Sequence, residues 1–287
     1  ISLFLQKIMK MRFSIIIPVY NRPQEVDELL ESLCQQTLKD FEVVVVEDGS
    51  TEKCETVCNK YKDKLTLNYY FKPNSGPGPS RNYGAEHRHG EYLIILDSDV
   101  IVPENYLESI QQELDSEPCD AFGGPDRAHP SFTPIQKAIK YSMTSFFTTG
   151  GIRGGKKKMD KFYPRSFNLG IRKEVYEALG GFAPMRYGED IDLSYRMIHG
   201  GWQNWYLPYD IIHYKGESTQ KSSFRYVHVF YQAMLIFFRK HYSHLSFLLS
   251  LPIQAAIYFR ATLALIPMLG DRLRHFINPS KNRHKHH

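Results

Sequence analysis

Three short apolar runs, Phe13-Ser14-Ile15-Ile16-Ile17-Pro18-Val19, Phe41-Glu42-Val43-Val44-Val45-Val46 and Tyr92-Leu93-Ile94-Ile95-Leu96, leave this chain few ways to fold. Runs of that length, dense in β-branched residues and closed by turn formers, read as strands buried on both faces of a parallel sheet. The segments between them carry a different period. Val26, Leu29, Leu30 and Leu33 recur at helical spacing after Asn21-Arg22-Pro23, so a helix to about Gln36 should lay its apolar side on the sheet. A second helix over Glu52 to Tyr61 and a third strand over Leu65 to Phe71 complete an alternation that implies right-handed crossovers. The expected class is α/β: a mostly parallel, Rossmann-like central sheet flanked by helices, with apolar helices at the C-terminal end.

The Tyr92 strand runs straight into Asp97-Ser98-Asp99-Val100. In an open α/β sheet, ligands bind at the carboxyl ends of the strands. Extended backbone sends Asp97 and Asp99 to one side while Ser98 turns away. Two hard oxygen ligands suit magnesium or manganese; the same short pattern can also close a strand as an Asx turn. Upstream, Pro73 to Gly84 is a stiff Gly/Pro loop leading into a helix that Arg81 opens, where glycines permit close backbone approach and helix-start amides favour anions.

Downstream, Pro103 to Leu114 reads as a helix and Cys119 to Gly123 as a short strand. From Gly124 to about Lys161 the pattern loosens, and Gly150 to Lys158 is a glycine-rich basic loop. Order returns with Ser166 to Ile171 and a helix from Lys173 to Leu179, stopped by Gly180-Gly181. Glu189, Asp190 and Asp192 open a further helix to about His199; the helix dipole alone explains them, at about 0.3–1 kcal/mol each. After a strand at Trp205 to Leu207, His213 stands at an apolar strand end, more often the place of a core histidine than of a ligand.

Phe224 to His241 is an aromatic-rich helix, and Leu245 to Leu269 is apolar for long enough to span a bilayer. Gln254, Arg260, Pro252 and Pro267 argue against a clean span, since a central Arg costs roughly 2.5 to 3.5 kcal/mol. Helices lying on the membrane face are expected, with the cationic end (Arg272, Arg274, Lys281, Arg283, Lys285) on anionic headgroups; a buried hairpin or a homo-oligomer interface is the alternative. No nucleic-acid partner is expected. Cys34, Cys54, Cys58 and Cys119 form no CxxC pair, which suggests a reducing compartment. Ile1 to Leu5 is too short for a signal-peptide core, and Met9 or Met11 is the more natural start. The expected location is cytoplasmic, peripheral on the inner face of the cell membrane. The expected division is an extension over 1–11, an α/β domain over 12–220 with halves 12–100 and 101–220, and a helical membrane-associating region over 221–287.

Seven motifs occur in order: FSIIIPVYNR, VVVVEDGST, GPGPSRNYG, LDSDV, NLGIRKEVYEALGGF, YGEDIDLSYRM and IIHYKGEST. Together, over roughly Phe13 to Thr219, they resemble the inverting glycosyltransferases of family 2, which have the GT-A fold. The resemblance implies a nucleotide-sugar donor, favouring UDP, and a divalent cofactor, manganese or magnesium. It places Pro18, Tyr20, Asn21 and Arg22 beside the nucleotide, Asp48 on its base or ribose, and Arg81 near the diphosphate or ribose. Asp97 and Ser98 would lie toward the ribose, with Asp99 the more direct metal ligand beside Asp97 and His213 a further one. Asp190 would be the catalytic base and Glu189 would orient the acceptor, a lipid-linked or surface-polysaccharide hydroxyl. Breaking a sugar–phosphate bond leaves charge on the departing diphosphate, which a carboxylate-held cation stabilises, while a base across the sugar takes the acceptor proton. Three rival readings are weaker. A dinucleotide-binding dehydrogenase or a sugar nucleotidyltransferase wants a glycine-rich loop after the first strand, where Pro18-Val19-Tyr20-Asn21-Arg22 stands instead. A membrane scaffold with a degenerate transferase fold would not need Asp97, Asp99 and Asp190 together.

Overall fold

The computed structural model describes residues 11–124, 126–128, 164–207, 211–213, 224–242 and positions 251, 252, 255, 258 and 259. The first half alternates as the apolar pattern requires: β1 (Phe13–Val19), α1 (Pro23–Cys34), β2 (Phe41–Asp48), α2 (Glu55–Asn59), β3 (Thr66–Lys72), α3 (Pro77–Glu86) and β4 (Tyr92–Leu96). Then follow β5 (Val100–Ile101), α4 (Tyr106–Ser116), β6 (Ala121–Gly123), β7 (Asp126–Ala128) and β8 (Asn168–Arg172). The rest is α5 (Lys173–Ala178), α6 (Glu189–His199), β9 (Asn204–Tyr206), β10 (Ile211–His213) and α7 (Phe224–Tyr242).

The main sheet has the order β3-β2-β1-β4-β8-β6-β9. From β3 to β4 its strands are parallel. Beyond β4 the sheet is mixed: β8 runs antiparallel to β4 with Asn168 opposite Leu96, β6 antiparallel to β8, and β9 parallel to β6. Apolar periodicity carries no strand direction, so this reversal was not legible in it. A second, three-stranded sheet, β5-β10-β7, pairs His213 with Val100 across the β5 edge. The β7 strand falls where the sequence pattern loosens, too short to leave a period.

Alternation along the strands builds two apolar layers. Ile15, Ile17, Val43, Val45 and Ile94 pack with α1 and α4 on one face, all of them fully buried. Ile16, Val44, Val46, Leu93 and Ile95 pack on the other with Phe182, Leu193 and Met197. The four expected α1 residues, Val26, Leu29, Leu30 and Leu33, are buried. On the second face α3 lies so close to the sheet that a Cβ on Gly84 would sit 2.5 Å from Ile16 Cγ2 and 3.1 Å from Val46 Cγ2. Gly84→Ala gains about 1 kcal/mol of helix propensity but loses about 1–3 kcal/mol to overpacking against stiff β-branched neighbours. A net loss near 1 kcal/mol is expected, read as a lower urea midpoint at unchanged slope.

Polar interruptions in the first two strands have a structural use. Ser14 and Glu42 face each other in register near the N-terminal ends of β1 and β2, opposite to the ligand end. Ser14 Oγ donates to Glu42 Oε1, the His89 amide donates to the same oxygen, and the His89 ring lies 2.9 Å from Oε2. Burial pushes the Glu42 carboxyl up, but these bonds more than offset it and hold it below the usual range. A depressed folded-state pKa stabilises above the unfolded value and is lost on acidification. Glu42→Gln should therefore flatten the fall in melting temperature as pH drops below about 4.3.

By packing, residues 1–185 with 189–215 form one unit and 186–188 with 216–287 another. In the second, α7 buries Leu235 and Phe238, exposes Met234 and ends in Arg239, Lys240 and His241. Among the described residues no helix is long and apolar enough to cross a membrane. Most of the 245–269 stretch lies outside the described residues.

Candidate active site

The carboxyl ends of β1 and β2 are tied into one rim. Asn21 sits at φ 52°, a left-handed conformation that asparagine tolerates. Its amide donates to Ser50 Oγ at 2.8 Å, and its Oδ1 accepts the Thr51 and Glu52 amides at 2.8 and 3.0 Å. Ser50 in turn donates to buried Glu47, which also accepts the Cys54 amide at 2.7 Å. Asn21 thus shapes the rim, while the neighbouring Tyr20 ring stands 53% exposed over it. Pro18 is half-buried inside β1.

Asp48 ends β2 and is buried. Its carboxylate accepts from the Ser75 amide at 2.9 Å, the Gly76 amide at 2.8 Å and Lys72 Nζ at 2.5 Å. Burial raises this carboxyl, and Lys72 with the two amides overcomes that and holds it below its ordinary value. Gly49 follows at φ +72°, where an added Cβ would lie 2.6 Å from the Asn74 nitrogen. The segment 73–76 is therefore laid directly on the end of β2. Lys72 gave no signal in the sequence beyond a charge at a strand end.

The helix after that segment opens at Pro77, not at Arg81. Pro77 and Pro79 carry no N–H, and the Ser80 amide is bonded to the Gly76 carbonyl. Of the first four positions only the Gly78 amide remains for an anion, so the anion-binding helix start expected from the Gly/Pro loop is largely stripped. Two prolines fix the entry of α3 instead.

That entry places Arg81 in the second turn, 4% exposed. Its two terminal nitrogens donate to Asp97 Oδ1 and to Glu189 Oε1, each at 2.9 Å. The guanidinium lies over the Phe182 ring, 5.2 Å from its centroid, and Nε has no hydrogen-bond partner among the described residues. Asn82 fastens the same turn to the Phe182 backbone: Nδ2 donates to the carbonyl and Oδ1 accepts the amide, both at 2.9 Å. One helix thus joins two acidic clusters that lie far apart in sequence. Sequence reasoning singled out Arg81 but missed Asn82 and Phe182, whose only signal was their neighbourhood to named motifs.

The carboxylates sort by their partners. Asp99 accepts from Arg22 at 3.0 Å, and Arg22 also faces Glu25 at 3.6 Å. Asp97 is 29% exposed and Ser98 is buried. Asp192, fully buried, takes Arg196 Nε at 2.8 Å, and Arg196 also reaches the carbonyls of Leu179 and Gly181, so this acid anchors α6 to the end of α5. Glu189 pairs with Arg81; burial pushes its carboxyl up, with Arg81 opposing and Asp190 adding. Among the described residues, Asp190 makes one hydrogen bond, from the Ile191 amide to its Oδ1 at 2.8 Å. His213 is placed by its backbone opposite Val100, next to Asp99 in sequence; its side chain lies outside the described residues.

Residues 14–180, more than half of the chain, match the family model described as glycosyl transferase family 2. The chain belongs to that family. Among its relatives are an uncharacterized glycosyltransferase of Rickettsia typhi, 31% identical over 64% of this chain and 58% of that one. Another is the poly(ribitol-phosphate) β-N-acetylglucosaminyltransferase TarS of Staphylococcus aureus, 37% identical over 39% of this chain and 20% of that one. The chain therefore spans less than two thirds of the length of these family 2 relatives. The TarS 1–349 crystal structure with UDP-GlcNAc superposes with a TM-score of 0.59, at 22% identity over 78% of this chain and 66% of that one. The mannosyltransferase PcManGT of Pyrobaculum calidifontis, solved with GDP-Man and Mn2+, gives 0.62, at 18% identity over 93% and 81%. Both likenesses establish the GT-A fold for this family 2 chain.

Proposed function

We propose that this chain moves a sugar from a nucleotide-sugar donor, UDP-linked, to a hydroxyl of a lipid-linked or surface-polysaccharide acceptor, with inversion at the sugar carbon. The observation that carries this reading is the Arg81 bridge, which holds the Asp97 end of β4 against the Glu189-Asp190 end of α6. A donor group and a base group are thereby brought to one crevice at the carboxyl ends of the strands. The donor lies along the rim built by Asn21, Asp48 and the Asp97-Ser98-Asp99 turn, with Tyr20 over it. Arg22 supplies positive charge beside the leaving diphosphate. Asp190 takes the acceptor proton as the hydroxyl attacks the face of the sugar opposite the diphosphate, and Glu189 orients that hydroxyl. A single displacement inverts the centre.

Asp97 and Asp99 are hard oxygen donors of the kind manganese and magnesium accept, and both ions complete their shells from water and phosphate. Among the described residues no set of three His, Cys, Asp or Glu surrounds them, so these two carboxylates, with His213 as the third candidate, would hold the ion. When bound, it neutralises charge developing on the diphosphate. The donor and acceptor classes draw support from TarS, whose name gives N-acetylglucosaminyl transfer to poly(ribitol-phosphate). The exposed Leu251, Tyr258 and Phe259 support seating of the C-terminal region on the inner face of the cell membrane.

The test is UDP release from a panel of UDP-sugars, with manganese and with polyol-phosphate or oligosaccharide acceptors. Acceptor-stimulated release of UDP from at least one sugar is expected. Nucleotide binding without release across the panel would return the chain to the scaffold reading.

A further inference from the structure

Arg81 stands where the two halves of the proposed reaction meet, and its geometry does not suit a direct contact with the donor. It is 4% exposed, and both terminal nitrogens are committed to protein carboxylates at 2.9 Å. The surroundings are shaped to keep it so. A Cβ on Gly78 would lie 3.5 Å from Glu189 Cγ and 3.6 Å from Phe182 Cβ, so the first turn of α3 runs within ordinary contact distance of α6 and the Phe182 segment. The Asn82–Phe182 bonds and the Tyr176 hydroxyl, 2.6 Å from Asn82 Oδ1, fix that segment in turn. The guanidinium is thus a single rigid fork with one tine on a donor-side carboxylate and one on an acceptor-side carboxylate.

We infer that Arg81 is a positioning residue that couples the two sides, so that the charge state of Glu189 is felt at the nucleotide site through the shared guanidinium. The physical basis is that one buried cation serves two anions: whatever weakens its hold on one strengthens its hold on the other. Coupling of this kind is reciprocal, so donor binding that draws on Asp97 would in turn tighten Arg81 on Glu189 and set the acceptor-side helix. This inference rests on the nucleotide-sugar reading above.

The experiment is calorimetric titration of UDP, with manganese, into the full chain at mildly alkaline pH. The variants are Glu189→Gln, Arg81→Met and the double variant. With Arg81 present, removing the Glu189 charge lets the guanidinium close on Asp97, which the donor must then draw away, and UDP should bind more weakly, by somewhere between about twofold and a hundredfold. In the Arg81→Met protein the shared cation is gone, so Glu189→Gln should change UDP affinity by less than about twofold. If Arg81→Met does not fold, Arg81→Lys serves in its place. A point charge cannot fork, so the Glu189→Gln effect should still shrink severalfold. An equal effect of Glu189→Gln with and without Arg81, or no effect with Arg81 in place, would overturn the coupling while leaving UDP binding intact. Absence of UDP and GDP binding in the wild-type chain would instead overturn the nucleotide-sugar reading on which it rests.

Discussion

Asp190→Asn should lower turnover by about 10²–10⁴-fold while leaving UDP affinity within about twofold of wild type. The substitution is nearly isosteric and keeps an oxygen for the Ile191 amide, so the first turn of α6 stays as it is. What it removes is the carboxylate that takes the acceptor proton in the proposed reaction. Glu189→Gln should cost less in turnover, because Glu189 is engaged by Arg81 and in the proposed reaction only orients the acceptor. Steady-state kinetics on the two variants, with UDP binding measured in parallel, separates the roles. A larger loss from Glu189→Gln than from Asp190→Asn would exchange them.

Arg81→Met should cost about 3–5 kcal/mol of unfolding free energy, the loss expected when one partner of a buried ion pair is removed. Two features make this site costly. Glu189 is only 12% exposed and loses the cation it pairs with among the described residues, so it must take up a proton or remain as an uncompensated buried charge. The guanidinium also packs on Phe182, whose ring loses that contact. Chemical denaturation of the two proteins gives the difference directly, and adding Glu189→Gln to the Met variant should recover part of it.

The first half of the fold was legible because β1, β2 and β4 are buried on both faces. Such strands cannot hide their apolar runs, and the crossovers between them have one handedness. The second half was less so. Strands β6, β7, β9 and β10 are only three residues long, too short for a period, and the direction of β8 depends on where a long connection re-enters the sheet. The site was legible as a set of named residues but not as a set of bonds. Asp97, Asp99, Glu189 and Asp190 could be picked out as acidic clusters. That a single arginine joins Asp97 to Glu189 requires α3 to be laid between them, which depends on the close approach at Gly84 and the Asn82–Phe182 bonds acting together. Likewise Asp192 looked like its neighbours in sequence, and only Arg196 four residues on, in contact with it, marks it as structural.

The most direct measurement is calorimetric titration of UDP into the wild-type chain and into Asp99→Ala, each with and without manganese. The account predicts binding to wild type that strengthens with manganese and a manganese effect that disappears in Asp99→Ala. UDP binding that is indifferent to manganese, or a manganese effect that survives in Asp99→Ala, would contradict it.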